Sequence, residues 1–159
     1  MSRSYSAGLV LFRRVGRTVE LMLVHPGGPF WAKKDEHGWS IPKGEFDPEA
    51  EAALEAAERE FAEELGAPAP AGERLALPEF KAGSKVIVSW LIEADFDAEG
   101  FSGAESSNRF ETEWPPKSGR MQSFPEVDRA AWFSLDLCRT KLHKGQVVIC
   151  DLVADSLLT

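Results

Sequence analysis

Between Gly44 and Gly66 the chain reads GEFDPEAEAALEAAEREFAEELG, and two patterns run through it at once. Apolar Leu54, Ala57, Phe61 and Leu65 recur at three- and four-residue intervals, the spacing of one face of an α-helix. Such a stripe must be buried against something, so this stretch predicts a helix packed on a core. Gly66 suits its C-terminal stop, with Pro68 and Pro70 following. Asp47-Pro48 fits an N-cap and first turn, although the stripe itself is convincing only from Leu54. On the same helix Glu60 neighbours both Glu63 and Glu64, and like charges so placed repel by about 0.2–0.5 kcal/mol per pair. One reading is a solvated acidic face with Glu55–Arg59 and Arg59–Glu63 pairs. The other is a set of oxygen ligands for a hard cation such as Mg²⁺ or Mn²⁺, a local conflict kept for function.

The surrounding pattern supplies what the stripe could pack against. Ser6 to Phe12 (SAGLVLF) and Val19 to His25 (VELMLVH) are β-rich runs either side of a polar turn, and read as a hairpin. Pro26-Gly27-Gly28-Pro29 and Lys33 to Gly38 read as loop. Trp39-Ser40-Ile41 is a short strand candidate, Lys85 to Glu93 (KVIVSWLIE) a long one, and Ala131 to Leu135 another. Gln146 to Leu158 reads as a closing helix, and Asp97 to Pro125 as a long functional loop without regular structure. Strands on both sides of a central helix, with a second helix at the end, predict an α/β fold. The hairpin start argues for a mixed rather than a parallel sheet.

At 159 residues the chain suits one domain, residues 1–159, with no linker or repeat to divide it. A net charge of −8 argues against a partner that is duplex nucleic acid, whose binding requires neutralisation of phosphates. It leaves anionic small molecules open, provided that bound cations invert the local field. No apolar run approaches a membrane span, the start lacks the pattern of a signal peptide, and Cys138 and Cys150 form no metal motif. A cytoplasmic monomer or homodimer is the expectation.

Gly44, Glu51, Arg59-Glu60, Glu63-Glu64 and Gly66 closely resemble the signature of the Nudix hydrolases. That signature runs Gly, five residues, Glu, seven residues, Arg-Glu, an aliphatic residue, any residue, Glu-Glu, any residue, Gly and an aliphatic residue. Here six residues separate Gly44 from Glu51, Phe61 replaces an aliphatic residue, and Ala67 is small for the last position of this box, 44–67. None of these departures removes a candidate ligand. Trp39 to Gly44 (WSIPKG) looks like the approach in members acting on dinucleoside polyphosphates and diphosphoinositol phosphates. Glu126 to Leu135 (EVDRAAWFSL) resembles the segment before the closing helix.

The resemblance implies a Nudix-type α/β/α sandwich with a mixed central β-sheet. It also implies a MutT-like pyrophosphatase: a hydrolase cutting a diphosphate bond of a nucleoside diphosphate derivative, of the NTP or dinucleoside polyphosphate type. Its cofactor would be magnesium (Mg²⁺) or Mn²⁺, and its partner a small-molecule nucleotide or polyphosphate. By position, Glu60, Glu63, Glu64 and the Gly44 carbonyl would hold the metal, with Arg59 orienting Glu60. Glu63 or Glu126 would act as base, and Glu51 would support the loop or an outer water. Lys43 would contact phosphate, and Phe110 and Trp114 are the aromatic candidates for stacking on a base. Glu105, Glu111 and Glu113 are further acidic candidates, and His25, His37 and His143 read as structural or exposed. A diphosphoinositol polyphosphate phosphohydrolase and a non-catalytic nucleotide-binding domain are the alternatives. Tyr5 is the chain's one tyrosine and lies before the box, Pro78 follows the box closely, and neither fixes the substrate.

Overall fold

Ala7, Leu9 and Leu11 alternate with Val10 and Phe12 along one strand, and all are buried although they point to opposite faces. The same holds for Met22 and Val24 against Leu21 and Leu23. Continuous apolar runs of this kind belong to a sheet covered on both sides. The computed structural model describes residues 3–158; Met1, Ser2 and Thr159, included in the expected 1–159 domain, lie outside the described residues. In chain order the elements are β1 (Ser4–Val15), β2 (Thr18–Pro26), β3 (Lys43–Phe46), α1 (Ala53–Leu65), β4 (Leu75–Ala76), β5 (Phe80–Ala82), β6 (Lys85–Glu93), α2 (Gly103–Ser106), β7 (Arg109–Glu113), β8 (Met121–Pro125), β9 (Val127–Ser134), α3 (Leu135–Lys141) and α4 (Val148–Leu158), with a 3-10 turn at Lys144–Gln146.

The main sheet is mixed, in the order β4-β6-β1-β2-β9. β6 runs parallel to β1 from Ser4↔Lys85 to Phe12↔Glu93, and the other pairings are antiparallel. One face carries α1, through Ala56, Ala57, Phe61 and Leu65. The opposite face carries α3 and α4, through Cys138, Leu142, Ile149, Cys150 and Val153. The result is an α/β/α sandwich.

One departure from a regular sheet positions the site. β1 pairs with β2 only from Phe12↔Leu21 to Val15↔Thr18, and its other half pairs with β3, from Tyr5↔Phe46 to Gly8↔Lys43. The strands therefore splay, and Ser40 to Phe46 wedges between them, held by Val24 N–H to Ser40 O (2.8 Å) and Leu9 N–H to Pro42 O (3.1 Å).

Several local expectations need correction. Trp39 and Ser40 form isolated bridges to Leu142 and Val24, and the strand comes next, at Lys43–Phe46. Asp47-Pro48 does not cap α1; it forms a separate turn in which Asp47 O accepts from Ala50 and Glu51, and α1 begins after Ala52. The stretch 97–125 is not structureless, since it holds α2 and a hairpin of β7 and β8. The last long strand begins earlier than Ala131, at Val127, and Leu135 instead opens α3. That helix is capped by Ser134 Oγ accepting from the Leu137 N–H, and is too short to show a period in sequence. The closing helix begins at Val148, because Gln146 belongs to the 3-10 turn.

Candidate active site

With Phe61 and Leu65 turned into the core, the opposite side of α1 presents Arg59, Glu60, Glu63 and Glu64 to the splayed strands. Arg59 ties this face together. Its Nε and Nη2 donate to the two Glu51 oxygens at 2.9 Å, and its Nη1 donates to Glu60 at 2.8 Å and Glu63 at 3.3 Å. The Glu51 pair, then Glu60, push the guanidinium pKa above its ordinary value, while Arg59 pulls Glu51 below the usual carboxylate range. The extra residue between Gly44 and Glu51 is absorbed by the Asp47 turn, so Glu51 still reaches its partner. At the other end Gly66 takes the left-handed conformation, φ 73°, and its N–H donates to Ala62 O.

Gly44 lies directly against the Glu60 carboxyl, where any Cβ would collide with it. Its neighbour Lys43 donates its backbone N–H to Glu64. Glu126 occupies the bend between β8 and β9, fixed by its N–H to Asn108 O (2.7 Å) and its carbonyl to Gly27 N–H (2.9 Å). Asn108 in turn donates to the Glu63 carbonyl at 2.8 Å, coupling the hairpin to the end of α1. Lys43, Glu64, Glu126 and His143, with Ser40 and Val127, line a cavity of about 180 Å³.

The charges in this cleft are unbalanced. Burial, then Glu60 and Glu126, hold Glu64 well above the ordinary carboxylate range, with Lys43 opposing. Burial likewise raises Glu60, against the pull of Arg59, and raises Glu126, helped by Glu60 and Glu63. Lys43 is lowered by burial and by Lys85. Among the described residues three buried side-chain oxygens lack a hydrogen-bond partner: the Ser6 and Ser89 hydroxyls and Glu64 Oε1. Only the last belongs to an acid. A sealed, unpartnered carboxylate oxygen costs roughly 1–3 kcal/mol, which a cation at this point would offset.

Among the described residues no three His, Cys, Asp or Glu side chains are grouped so as to hold a metal ion, and Arg59 pairs with both Glu60 and Glu63. The donors nonetheless fit a hard divalent ion in kind. They are carboxylate oxygens, with Gly44 lying against Glu60 and with Glu64 Oε1 left unsatisfied.

Other candidates lie elsewhere. Phe110 and Trp114 do not line this cavity. Trp114 stacks edge-on against Phe30 at 5.5 Å, and Phe110 packs against Phe124 and over Gly28, so both fasten the hairpin to the loop after β2. Glu111 and Glu113 sit on that hairpin, and Glu105 on α2. Lys85 pairs with Glu45 at 3.1 Å. The histidines, dispersed in sequence, converge in space. His25 is fully buried between Asp128 and the Lys34 carbonyl, and His143 reaches the cleft because Trp39 bridges to Leu142. No sequence signal marked His143, since that contact joins segments about a hundred residues apart.

A helix whose buried face braces a sheet, while its other face offers clustered carboxylates to a strand-edge glycine, defines an α/β/α sandwich with an acid-lined cleft. The NUDIX domain model matches residues 2–150, and the chain belongs to that family. Membership indicates a hydrolase of pyrophosphate bonds, in a family that generally uses divalent metal ions. Comparison with curated proteins gives no match. Among solved structures, a Caenorhabditis elegans Ap4A hydrolase in a binary complex is 20% identical, with 98% of each chain covered and a TM-score of 0.61. The NUDIX domain of Shewanella oneidensis NrtR, complexed with ADP ribose, is 18% identical over 99% of this chain and 90% of that one, with a TM-score of 0.60. The C-terminal domain of mouse MUTYH, complexed with human PCNA, is 16% identical over 99% and 92%, with a TM-score of 0.59. At these identities the likeness is one of fold. No helix among the described residues is long and apolar enough to cross a membrane.

Proposed function

We propose that the protein is a Mg²⁺- or Mn²⁺-dependent pyrophosphohydrolase acting on a nucleoside diphosphate derivative of the NTP or dinucleoside polyphosphate type. The observation that carries this reading is Glu64 Oε1, buried without a partner beside Glu60 and Glu126. A purely structural acidic helix would turn that oxygen to solvent or to a base. Glu60, Glu64 and the Gly44 carbonyl would hold the ion, with Glu63 as a further ligand or base. When bound, the ion supplies charge neutralisation at the diphosphate and acidifies water.

The chain's own residues account for the rest. Arg59 fixes the Glu60 carboxylate through a bond of 2.8 Å and is itself fixed by Glu51. Lys43 offers its ammonium to a diphosphate oxygen. Glu126, raised above the ordinary carboxylate range, lines the same cavity as Glu64. It accepts the proton of the attacking water as the new P–O bond forms and the bridging P–O bond breaks. Phe110 and Trp114 have no part in this reading, because both are engaged in packing the hairpin. One similar structure is named as an Ap4A hydrolase and another is complexed with ADP ribose; both compounds contain phosphoanhydride bonds, which supports the substrate class.

The test is release of phosphate or nucleotide from NTPs, Ap4A, ADP-ribose and a diphosphoinositol polyphosphate, with Mg²⁺ or Mn²⁺, by wild type and Glu64→Gln. Wild-type turnover that Glu64→Gln abolishes supports the reading. Binding without turnover makes this a non-catalytic nucleotide-binding domain, and turnover of the inositol substrate alone selects that alternative.

A further inference from the structure

The loop from Pro26 to Gly38 has no role in the chemistry above, yet it is fastened at several points. His25 Nε2 donates to the Lys34 carbonyl at 2.6 Å, and Trp39 Nε1 donates to Asp35 at 3.0 Å. Lys141 pairs with the same Asp35, and the His37 N–H donates to Thr140 O at 2.8 Å. His143 Nδ1 donates to the His37 carbonyl at 2.9 Å, and His37 Nδ1 to the Leu142 carbonyl at 2.7 Å. This framework holds open a cavity of about 510 Å³ lined by Trp31, Lys34, Glu36, His37, His143 and Lys144. His143 lines both this cavity and the catalytic cleft, so the two adjoin.

The lining states what would fit. In a protein of net charge −8, the ammonium groups of Lys34 and Lys144 have no carboxylate partner among the described residues. The cavity's one acid, Glu36, faces His37 at 3.9 Å. Trp31 does not offer an empty ring to a nucleobase. It carries the Lys34 ammonium at 5.2 Å and the His143 ring at 4.8 Å, and so seats a cation beside the cleft. Two ammonium groups against one carboxylate, next to a diphosphate site, leave the lining net positive and suit a further phosphate.

We infer that the Trp31–Lys34–His143–Lys144 cavity is a subsite for a phosphate group of the substrate beyond the diphosphate that is cleaved. The inference rests on the pyrophosphohydrolase reading for the identity of the neighbouring cleft. That phosphate belongs either to a longer polyphosphate chain or to a phosphorylated alcohol.

The decisive variant is the double substitution K34Q/K144Q, at two exposed positions outside the catalytic cleft. Inorganic tripolyphosphate and inorganic pyrophosphate are titrated calorimetrically, with Mg²⁺, into wild type and variant. Loss of charge-assisted phosphate contacts weakens tripolyphosphate binding on the order of tenfold, and leaves pyrophosphate binding unchanged. Equal effects on both probes, or no effect on either, overturn the subsite. In the kinetic arm, KM rises on the order of tenfold with kcat unchanged. The rise on Ap4A but not on diphosphoinositol pentakisphosphate identifies a polyphosphate chain, and the reverse identifies a phosphorylated alcohol. KM for ADP-ribose, which ends in an uncharged sugar, does not move. Absence of all turnover, with the tripolyphosphate effect retained, overturns the enzymatic reading and keeps the subsite. Turnover lost in Glu64→Gln, with tripolyphosphate insensitive to K34Q/K144Q, does the opposite.

Discussion

Replacing Glu64 by glutamine should make the metal-free protein more stable while destroying its function. Glu64 is buried, its Oε1 has no partner, and burial together with Glu60 and Glu126 raises its pKa well above the ordinary value. A group whose folded pKa exceeds its unfolded pKa binds more protons in the folded state. Its contribution to stability is therefore complete below the unfolded value, about 4.3 for glutamate, and is lost as pH rises through the folded one. As pH rises from 4 towards 8 without divalent ions, the wild type progressively loses this contribution, on the scale of an unsatisfied buried group, roughly 1–3 kcal/mol. Glutamine keeps a carbonyl to accept the Lys43 amide but carries no charge, so a gain of about 1–2 kcal/mol is expected. For a chain of this size that raises Tm by about 2–8 °C. The assay is a thermal melt of both proteins in chelator from pH 4 to 8. The gap should be largest at pH 8 and close towards pH 4. Adding Mg²⁺ or Mn²⁺ should then reverse the order, since an ion at 100 times its Kd stabilises the wild type by about 2.7 kcal/mol and the variant much less. A Glu64→Gln protein that melts below wild type at pH 8 in chelator, or a gap independent of pH, would refute the reasoning.

Three further substitutions test the supporting parts. Gly44→Ala sets a methyl group where the Glu60 carboxyl lies, so kcat/KM should fall about 100-fold, the scale of a 1 Å misplacement, with the circular dichroism spectrum unchanged. Arg59→Lys keeps the charge but loses the fork that joins Glu51 to Glu60; a loss of about 10- to 100-fold in kcat/KM is expected, and an unchanged value would reduce Arg59 to a surface charge. Glu126→Gln should lower kcat by about 100-fold or more, the range of general-base removal, with little change in Tm. An unimpaired kcat would move the base to Glu63.

How far this molecule can be read from its sequence follows from how local each contact is. The stripe of α1 was legible because Phe61 and Leu65 repeat within one helix, and both are buried on the sheet. The carboxylates were legible for the same reason, and Arg59 reaches Glu60 and Glu63 within a single turn. The Asp47 turn shows why an extra residue before Glu51 does no harm: it lengthens a loop and leaves the Arg59–Glu51 pair intact. The hairpin of β7 and β8 was not legible. Its strands are mostly exposed, so neither carries the apolar alternation that marks a buried strand, and their pairing spans the loop from Trp114 to Arg120. Phe110 and Trp114 illustrate the consequence. An aromatic in an apparent loop can stack on a ligand or pack a hairpin, and the contacts with Gly28 and Phe30 that these two make come from a segment distant in sequence. His143 is the extreme case, placed at the cleft by a bridge to Trp39. The clustered carboxylates and the glycine against them thus lie on one helix and one strand edge, which local spacing encodes, whereas Glu126 joins them from the distant bend between β8 and β9. The walls that select a substrate are assembled from distant segments, so sequence reading reached the reaction class before it reached the substrate.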